Sequence, residues 1–194
     1  MSKRSKPKTV QPPKDSSSAG LRVLEIGAGP KPQAYKLLPY ATVETMDVDQ
    51  QYNPTYLHDA TTMPEGLYGL FDVVFASHVL EHFPWYDTLN VLKEWRKALK
   101  VGGQLHVFVP SLEWAAEQIL SDQPSKAVDG HLYAGCITEW DVHKAGFTLR
   151  KLRQLFEHAP LSVVMAGSGS YPIRIMGEIC EAEQHYVIGV RGSE

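Results

Sequence analysis

Apolar residues along this chain gather in short runs, and glycine, proline or an acid closes each run. Leu21, Val23, Leu24 and Ile26 make the first run and lead straight into Gly27-Ala28-Gly29. Later runs such as Phe71-Asp72-Val73-Val74-Phe75-Ala76-Ser77 are rich in Val and Phe, as in strands covered on both faces. Between the runs the period changes. Leu89, Leu92, Trp95 and Leu99 recur at spacings of 3, 3 and 4, which is one apolar face of a helix and places Trp95 in a core. The pattern predicts strands at 21–27, 42–47, 55–59, 71–77 and 104–110. It also predicts a helix near 31–38, a helical turn near 63–68, and helices at 86–99 and 112–120. After residues 121–147, which are rich in Gly, Pro and His and read as irregular, come a helix near 148–158 and strands near 161–167 and 183–190. Thr148 is placed to cap the helix that follows it by accepting from backbone N–H groups. Strands alternating with helices at this spacing imply βαβ units and a parallel sheet, hence an α/β fold. No internal repeat is visible.

The junction Val23 to Pro30 carries the first chemical signal. Gly27 and Gly29 remove side chains where a strand ends and the backbone must turn or approach a ligand. A dinucleotide fingerprint asks for a third glycine at the position of Pro32, and the Gly-Lys-Ser/Thr ending of a phosphate-binding loop is missing. A lone glycine pair also fits an ordinary strand-ending turn. Asp47 follows Gly27 by 20 positions, close to the offset at which an acid meets a ribose diol. A carboxylate can accept from two vicinal hydroxyls at once. Asp49 competes for that role and reads better as a solvated turn acid.

Composition narrows the setting. At 194 residues the chain is long enough for one domain with a full core. Residues 1–20 stand apart: Lys3, Arg4, Lys6, Lys8 and Lys14 face Asp15 alone, among several prolines and serines. Such a segment is expected to be a disordered basic tail, either simply solvated or a non-specific nucleic-acid tether. The remainder is acidic, since the whole chain carries a net charge of −3, and this argues against a broad phosphate-tracking surface. Cys136 and Cys180 form no metal-type pair and suggest free thiols in a reducing, cytoplasmic setting. No membrane span and no secretory signal is expected.

The ordered set of motifs resembles the class I S-adenosylmethionine-dependent methyltransferases, and most of all the small group with an LEH segment after the fourth strand. The matching residues are Glu25-Ile26-Gly27-Ala28-Gly29, Asp47, Asp59-Ala60, Phe71-Asp72-Val73-Val74, His78-Val79-Leu80-Glu81-His82 and Leu99-Lys100-Val101-Gly102-Gly103. The chain departs from the family at Pro30-Lys31-Pro32, where a further glycine is common, and at Val101, where proline is. The resemblance implies a Rossmann-like, doubly wound, seven-stranded sheet over residues 21–194, mostly parallel with an antiparallel last strand, and residues 121–147 covering the substrate. It implies S-adenosylmethionine as cofactor. Glu25 would then orient the amino-acid ammonium, directly or through water, and Gly27, Ala28 and Gly29 would pass beneath the cofactor. Asp47 and Val48 would meet the ribose, Asp59 and Ala60 the adenine, and Ser77 and His78 the sulfonium end.

Methyl transfer from a sulfonium needs alignment and exclusion of water, and a base only when the acceptor must lose its proton early. His82, His78 and His143 are the catalytic candidates, with His82 either a base for an acceptor hydroxyl or a brace of the loop, and Glu81 a brace. His131 and Tyr133 join His143 as candidate acceptor contacts, with simple packing the competing and slightly favoured reading for Tyr133. His78, Glu81 and His82 also match in part the Glu-x-x-Glu-His metal motif of some O-methyltransferases, with histidine in place of the first acid. That reading requires a ligand from a distant segment, His143, and the expected site holds no metal. The acceptor is expected to be small or medium-sized and methylated on O or N. The Asn/Asp-Pro-Pro-Tyr/Phe motif of DNA amino-methylating enzymes is missing. Rival readings are a non-catalytic binding or activating subunit on the same scaffold, a nicotinamide oxidoreductase, disfavoured by Pro32, and a nucleic-acid-binding module led by the basic tail.

Overall fold

The computed structural model describes residues 20–121, 126–175 and 178–193. The expected basic tail therefore lies outside the described residues, except for Gly20. The five apolar runs become strands β1 (Arg22–Ile26), β2 (Thr42–Asp47), β3 (Tyr56–Leu57), β4 (Phe71–Ser77) and β5 (Leu99–Pro110). Two long strands, β6 (Leu161–Ile175) and β7 (Glu178–Arg191), complete a seven-stranded sheet of order β3-β2-β1-β4-β5-β7-β6. The first five strands pair in parallel, and β7 runs antiparallel to both β5 and β6. The chain leaves β1 outward to β2 and β3, then returns to the other side of β1 with β4. That reversal makes the carboxyl ends of β1 and β4 a topological switch point, the place where open α/β sheets bind ligands.

One face of the sheet carries the main core. Helices α2 (Thr88–Ala98) and α5 (Leu149–His158) lie there, and Trp95, Leu92, Leu152 and Phe156 are fully buried against Leu24, Val74 and Leu105. Thr148 caps α5 as its sequence position implies, its hydroxyl accepting from Lys151 N at 3.1 Å. The other face is thin: Val23, Val73 and Phe75 pack with Ala34 of the single-turn helix α1 (Ala34–Leu37). The helix expected near 31–38 is shorter because Pro32 cannot sit inside a helix and restricts the residue before it.

Other expectations shift in length. Strand β5 begins at Leu99, and Lys100-Val101-Gly102-Gly103 is an irregularity within it: Phe71 pairs with Leu99, but Val73 pairs with Gln104. Gly103 is held among backbone carbonyls so tightly that a Cβ would stand 3.0 Å from Lys100 O. Residues 121–147 are not wholly irregular. Helix α3 (Leu112–Leu120) is followed by α4 (Lys126–Tyr133), which buries Ala127, Val128 and His131. Gly130 within that helix and Pro124 before it obscure the period. The closing hairpin of β6 and β7 outruns the sheet. β5 pairs with β7 only from Gln184 to Val190, while β6 pairs with β7 as far as Ile175 and Glu178. The expected strands near 161–167 and 183–190 are thus the sheet-bound parts of a longer ribbon.

Candidate functional site

A cleft of about 510 Å³ opens at the switch point. Gly27 begins its floor. Its N–H donates to Met46 O at 2.8 Å, which ties the end of β1 to β2. Its φ of +62° and a would-be Cβ only 2.6 Å from Val79 Cγ2 exclude any side chain. Gly29 follows in the same left-handed conformation and donates to Asp47 Oδ2 at 2.9 Å. The other oxygen of Asp47 accepts from Asp49 N at 2.9 Å. The aspartate is thus held by two amides, and each oxygen keeps a lone pair for a ligand. Asp49 itself accepts from Gln51 N and starts a short 3-10 turn, as a turn acid does.

Gly27, Gly29, Asp47, Val48, Asp59, Ala60 and His78 all line the cleft. Glu25, Ala28 and Ser77 do not. The carboxylate of Glu25 is buried, accepting from Gln33 N at 2.6 Å and Ala34 N at 2.9 Å. Burial pushes its carboxyl above the usual range against those two amides. Glu25 thus pins the loop that follows the two glycines. Sequence reasoning missed Tyr52, Trp140 and Lys144 at the cleft, because only the return of a distant loop brings the last two there.

Beyond β4 the chain strains and then turns. His78 adopts a φ of 56° and is followed by the 3-10 turn Leu80–His82. Such a conformation in a non-glycine residue costs about 1–3 kcal/mol and survives only where packing enforces it. His78 Nε2 donates to Gln184 Oε1 at 2.9 Å, and its ring lies 4.6 Å from that of Tyr171 on the closing hairpin. Its Nδ1 stands 3.4 Å from Glu81 Oε1. Glu81 is 1 % exposed, and neither of its carboxylate oxygens has a hydrogen-bond partner among the described residues. Burial opposes its charge, but His78, His82 and His143 outweigh burial and hold the carboxyl below the usual range. His78 responds in reverse: burial lowers its pKa, Glu81 and Gln184 raise it more, and the balance is upward.

The loop 142–145 is fastened to this point. Lys144 N and Ala145 N donate to Glu81 O at 2.7 and 3.1 Å. This brings His143 Nε2 to 3.8 Å from Glu81 Oε1, with the ring of His82 4.9 Å from that of His143. His143 Nδ1 donates to His131 O at 3.0 Å, and His131 Nε2 donates to Ser111 O at 2.8 Å. Burial lowers the pKa of His131 to about 4. His131, Tyr133 and His143 line a neighbouring cavity of about 340 Å³, with Lys144 shared between it and the cleft. Three catalytic candidates, two beside Glu81 in sequence and one from a distant loop, thus surround one carboxylate.

Residues 24–107 match the family model for a methyltransferase domain. The chain has the class I methyltransferase fold. A S-adenosylmethionine-dependent methyltransferase structure from Methanosarcina mazei shares it at 16 % identity, covering 90 % of this chain and 94 % of that one with a TM-score of 0.65. Magnesium protoporphyrin IX methyltransferase of Synechocystis, solved with bound SAH, shares it at 16 % identity over 92 % of this chain and 77 % of that one (TM-score 0.59). The 1,6-didemethyltoxoflavin-N1-methyltransferase of Burkholderia thailandensis, with bound S-adenosylhomocysteine, does so at 14 % identity over 90 % and 72 % (TM-score 0.58). No curated protein matches the sequence. Among the described residues no helix is long and apolar enough to cross a membrane.

Proposed function

We propose that this methyltransferase-fold protein is an active enzyme that binds S-adenosylmethionine in the 510 Å³ cleft and moves its methyl group to an O or N atom of a small or medium-sized acceptor. The observation that carries the reading is the pairing of two left-handed glycines with Asp47 at the switch point, where Gly29 N–H orients the aspartate. Asp47 would accept from the ribose hydroxyls, with Val48 beside it. Asp59 and Ala60 would meet the adenine. Gly27 lets the backbone pass close under the cofactor, and the strained turn at His78 presents the sulfonium end to the histidine cluster.

The transfer itself is a displacement. An acceptor lone pair attacks the methyl carbon, the carbon–sulfur bond breaks, and S-adenosylhomocysteine leaves as a neutral thioether while the acceptor releases its proton. The donor is already activated, so the protein's part is to align the two molecules and exclude water. The acceptor would enter from the side of His82, His131, Tyr133 and His143. Two relatives of the same fold act on a porphyrin and on a toxoflavin precursor, and the scaffold alone therefore does not select the acceptor.

Calorimetric titration with S-adenosylmethionine, S-adenosylhomocysteine and NAD tests the proposal. Micromolar binding of the first two and none of NAD is expected. Binding of neither adenosyl compound would defeat it and promote the non-catalytic subunit reading.

A further inference from the structure

We infer that Glu81, His82 and His143 form a binding site for a divalent metal ion of the zinc class, with an open coordination position toward the acceptor. The starting point is the carboxylate of Glu81, 1 % exposed, with no hydrogen bond to either oxygen among the described residues. A buried anion is costly unless close cations or hydrogen bonds stand against it, and its contacts with His78 Nδ1 at 3.4 Å and His143 Nε2 at 3.8 Å are both long and both made to Oε1. One ligand atom from each of Glu81, His82 and His143 lies within 4.8 Å of the others. A four-coordinate ion with bonds near 2.1 Å sets its ligand atoms roughly 3.4 Å apart, so only a small contraction would close the cluster.

The outer contacts point the same way. His82 Nδ1 lies 3.2 Å from Val142 O and His143 Nδ1 lies 3.0 Å from His131 O. A carbonyl only accepts, so each Nδ1 carries the proton and each neutral ring keeps its lone pair on Nε2. In that form two imidazole lone pairs and the Glu81 carboxylate make up the donor set that a divalent ion takes. Metal-binding histidines are anchored in this manner through their second nitrogen. His78 differs from the three. Its Nε2 is held by Gln184 and its Nδ1 stands 3.4 Å from Glu81 Oε1, which makes it a positioning residue for the carboxylate and not a ligand.

Two imidazoles and one carboxylate suit zinc and similar ions, whereas magnesium prefers oxygen ligands in a near-octahedral shell. Three protein ligands leave a position open, the arrangement of catalytic zinc sites. His82 lines the cleft and His143 lines the neighbouring cavity, so an ion held by both would lie between the two. Resting on the methyl-transfer reading, this role makes the acceptor an oxygen compound whose hydroxyl the ion would bind and acidify. His82 then acts on the acceptor through the ion and does not itself take the proton.

The test is zinc titration of the chelator-stripped full chain against a chromophoric competitor, beside magnesium. One zinc per chain with submicromolar affinity is expected, and magnesium at least about 1000-fold weaker. His82→Ala and His143→Ala, checked for folding by circular dichroism, should each weaken zinc by about 100-fold or more. His158→Ala, at an exposed helix end, should leave affinity unchanged. Absence of tight zinc, or zinc retained in both cluster variants, overturns the inference. Cofactor titration of the same stripped protein separates the two proposals. Cofactor binding without zinc sinks the metal site alone, and zinc without cofactor sinks the methyl-transfer reading alone.

Discussion

At the scale of single residues, two glycines of one loop are constrained for different reasons. Gly27 combines a φ of +62° with a Cβ collision against Val79, while Gly29 has a φ of +55° and nothing within 4 Å of a would-be Cβ. Gly29→Ala should cost about 1–2 kcal/mol of stability, the left-handed penalty alone. Gly27→Ala should cost clearly more, because Val79 must also move. Urea unfolding midpoints measure the difference, and equal losses would refute the steric argument. Asp47 is the residue on which cofactor binding should depend most. Asp47→Ala leaves a diol without its acceptor, at roughly 1.5–3 kcal/mol for a hydrogen bond to a charged group. The expected result is a 10- to 100-fold weaker affinity for S-adenosylhomocysteine by calorimetry. Unchanged affinity would remove Asp47 from the site. Both glycines and Asp47 were legible in the sequence because local spacing alone constrains them. The loop contacts of Glu25 were not, since its partners Gln33 and Ala34 are backbone amides that become donors only once α1 exists.

At the scale of elements, helix α2 links the core to the cleft. Trp95 is fully buried, and its Nε1 donates to Ala60 O at 2.9 Å, across the loop that would carry the adenine contacts. Trp95→Phe keeps an apolar ring but leaves that carbonyl without its donor. It should cost about 1–3 kcal/mol of stability and weaken cofactor binding several-fold. Stability lost with affinity intact would mean that the loop does not rely on the helix. The 3.6-residue period named Trp95 as core, and nothing in the sequence could name Ala60 as its partner, 35 positions away. Helix α4 shows the opposite limit: a helix with Gly130 inside has weak local propensity, and burial of His131 against Ser111 supplies what propensity lacks.

At the scale of the whole molecule, buried histidines make stability depend on pH. His106 on β5 is buried, and desolvation lowers its pKa from 6.5 to about 4. Between those values the unfolded chain binds the proton and the folded one does not. Stability from this group is therefore complete above pH 6.5 and falls as the pH drops toward 4. The full difference amounts to about 3 kcal/mol. His106→Gln cannot titrate and should flatten the urea midpoint between pH 6.5 and 4 relative to the parent chain. Parallel profiles would show that His106 is charged in the folded protein. Lys100 at Asp72 and Lys97 at Glu94 hold those carboxyls below their usual range, so they lose stability only at lower pH.

What the sequence by itself determined is whatever depends on near neighbours along the chain. The alternation of strands and helices follows from residue period, the glycine turn from backbone freedom, the Thr148 cap from a hydroxyl beside a helix start, and the Asp47 offset from the length of one βα unit. Only the tertiary structure decided what depends on distant segments meeting. The strand order places the ends of β1, β2 and β4 at one cleft. The loop amides of Lys144 and Ala145 dock on Glu81 and carry His143 in. The long hairpin brings Gln184 and Tyr171 against His78. The chemistry of the histidine cluster rests on those contacts, because burial and a shared carboxylate are properties of an assembled volume and of no short stretch of chain.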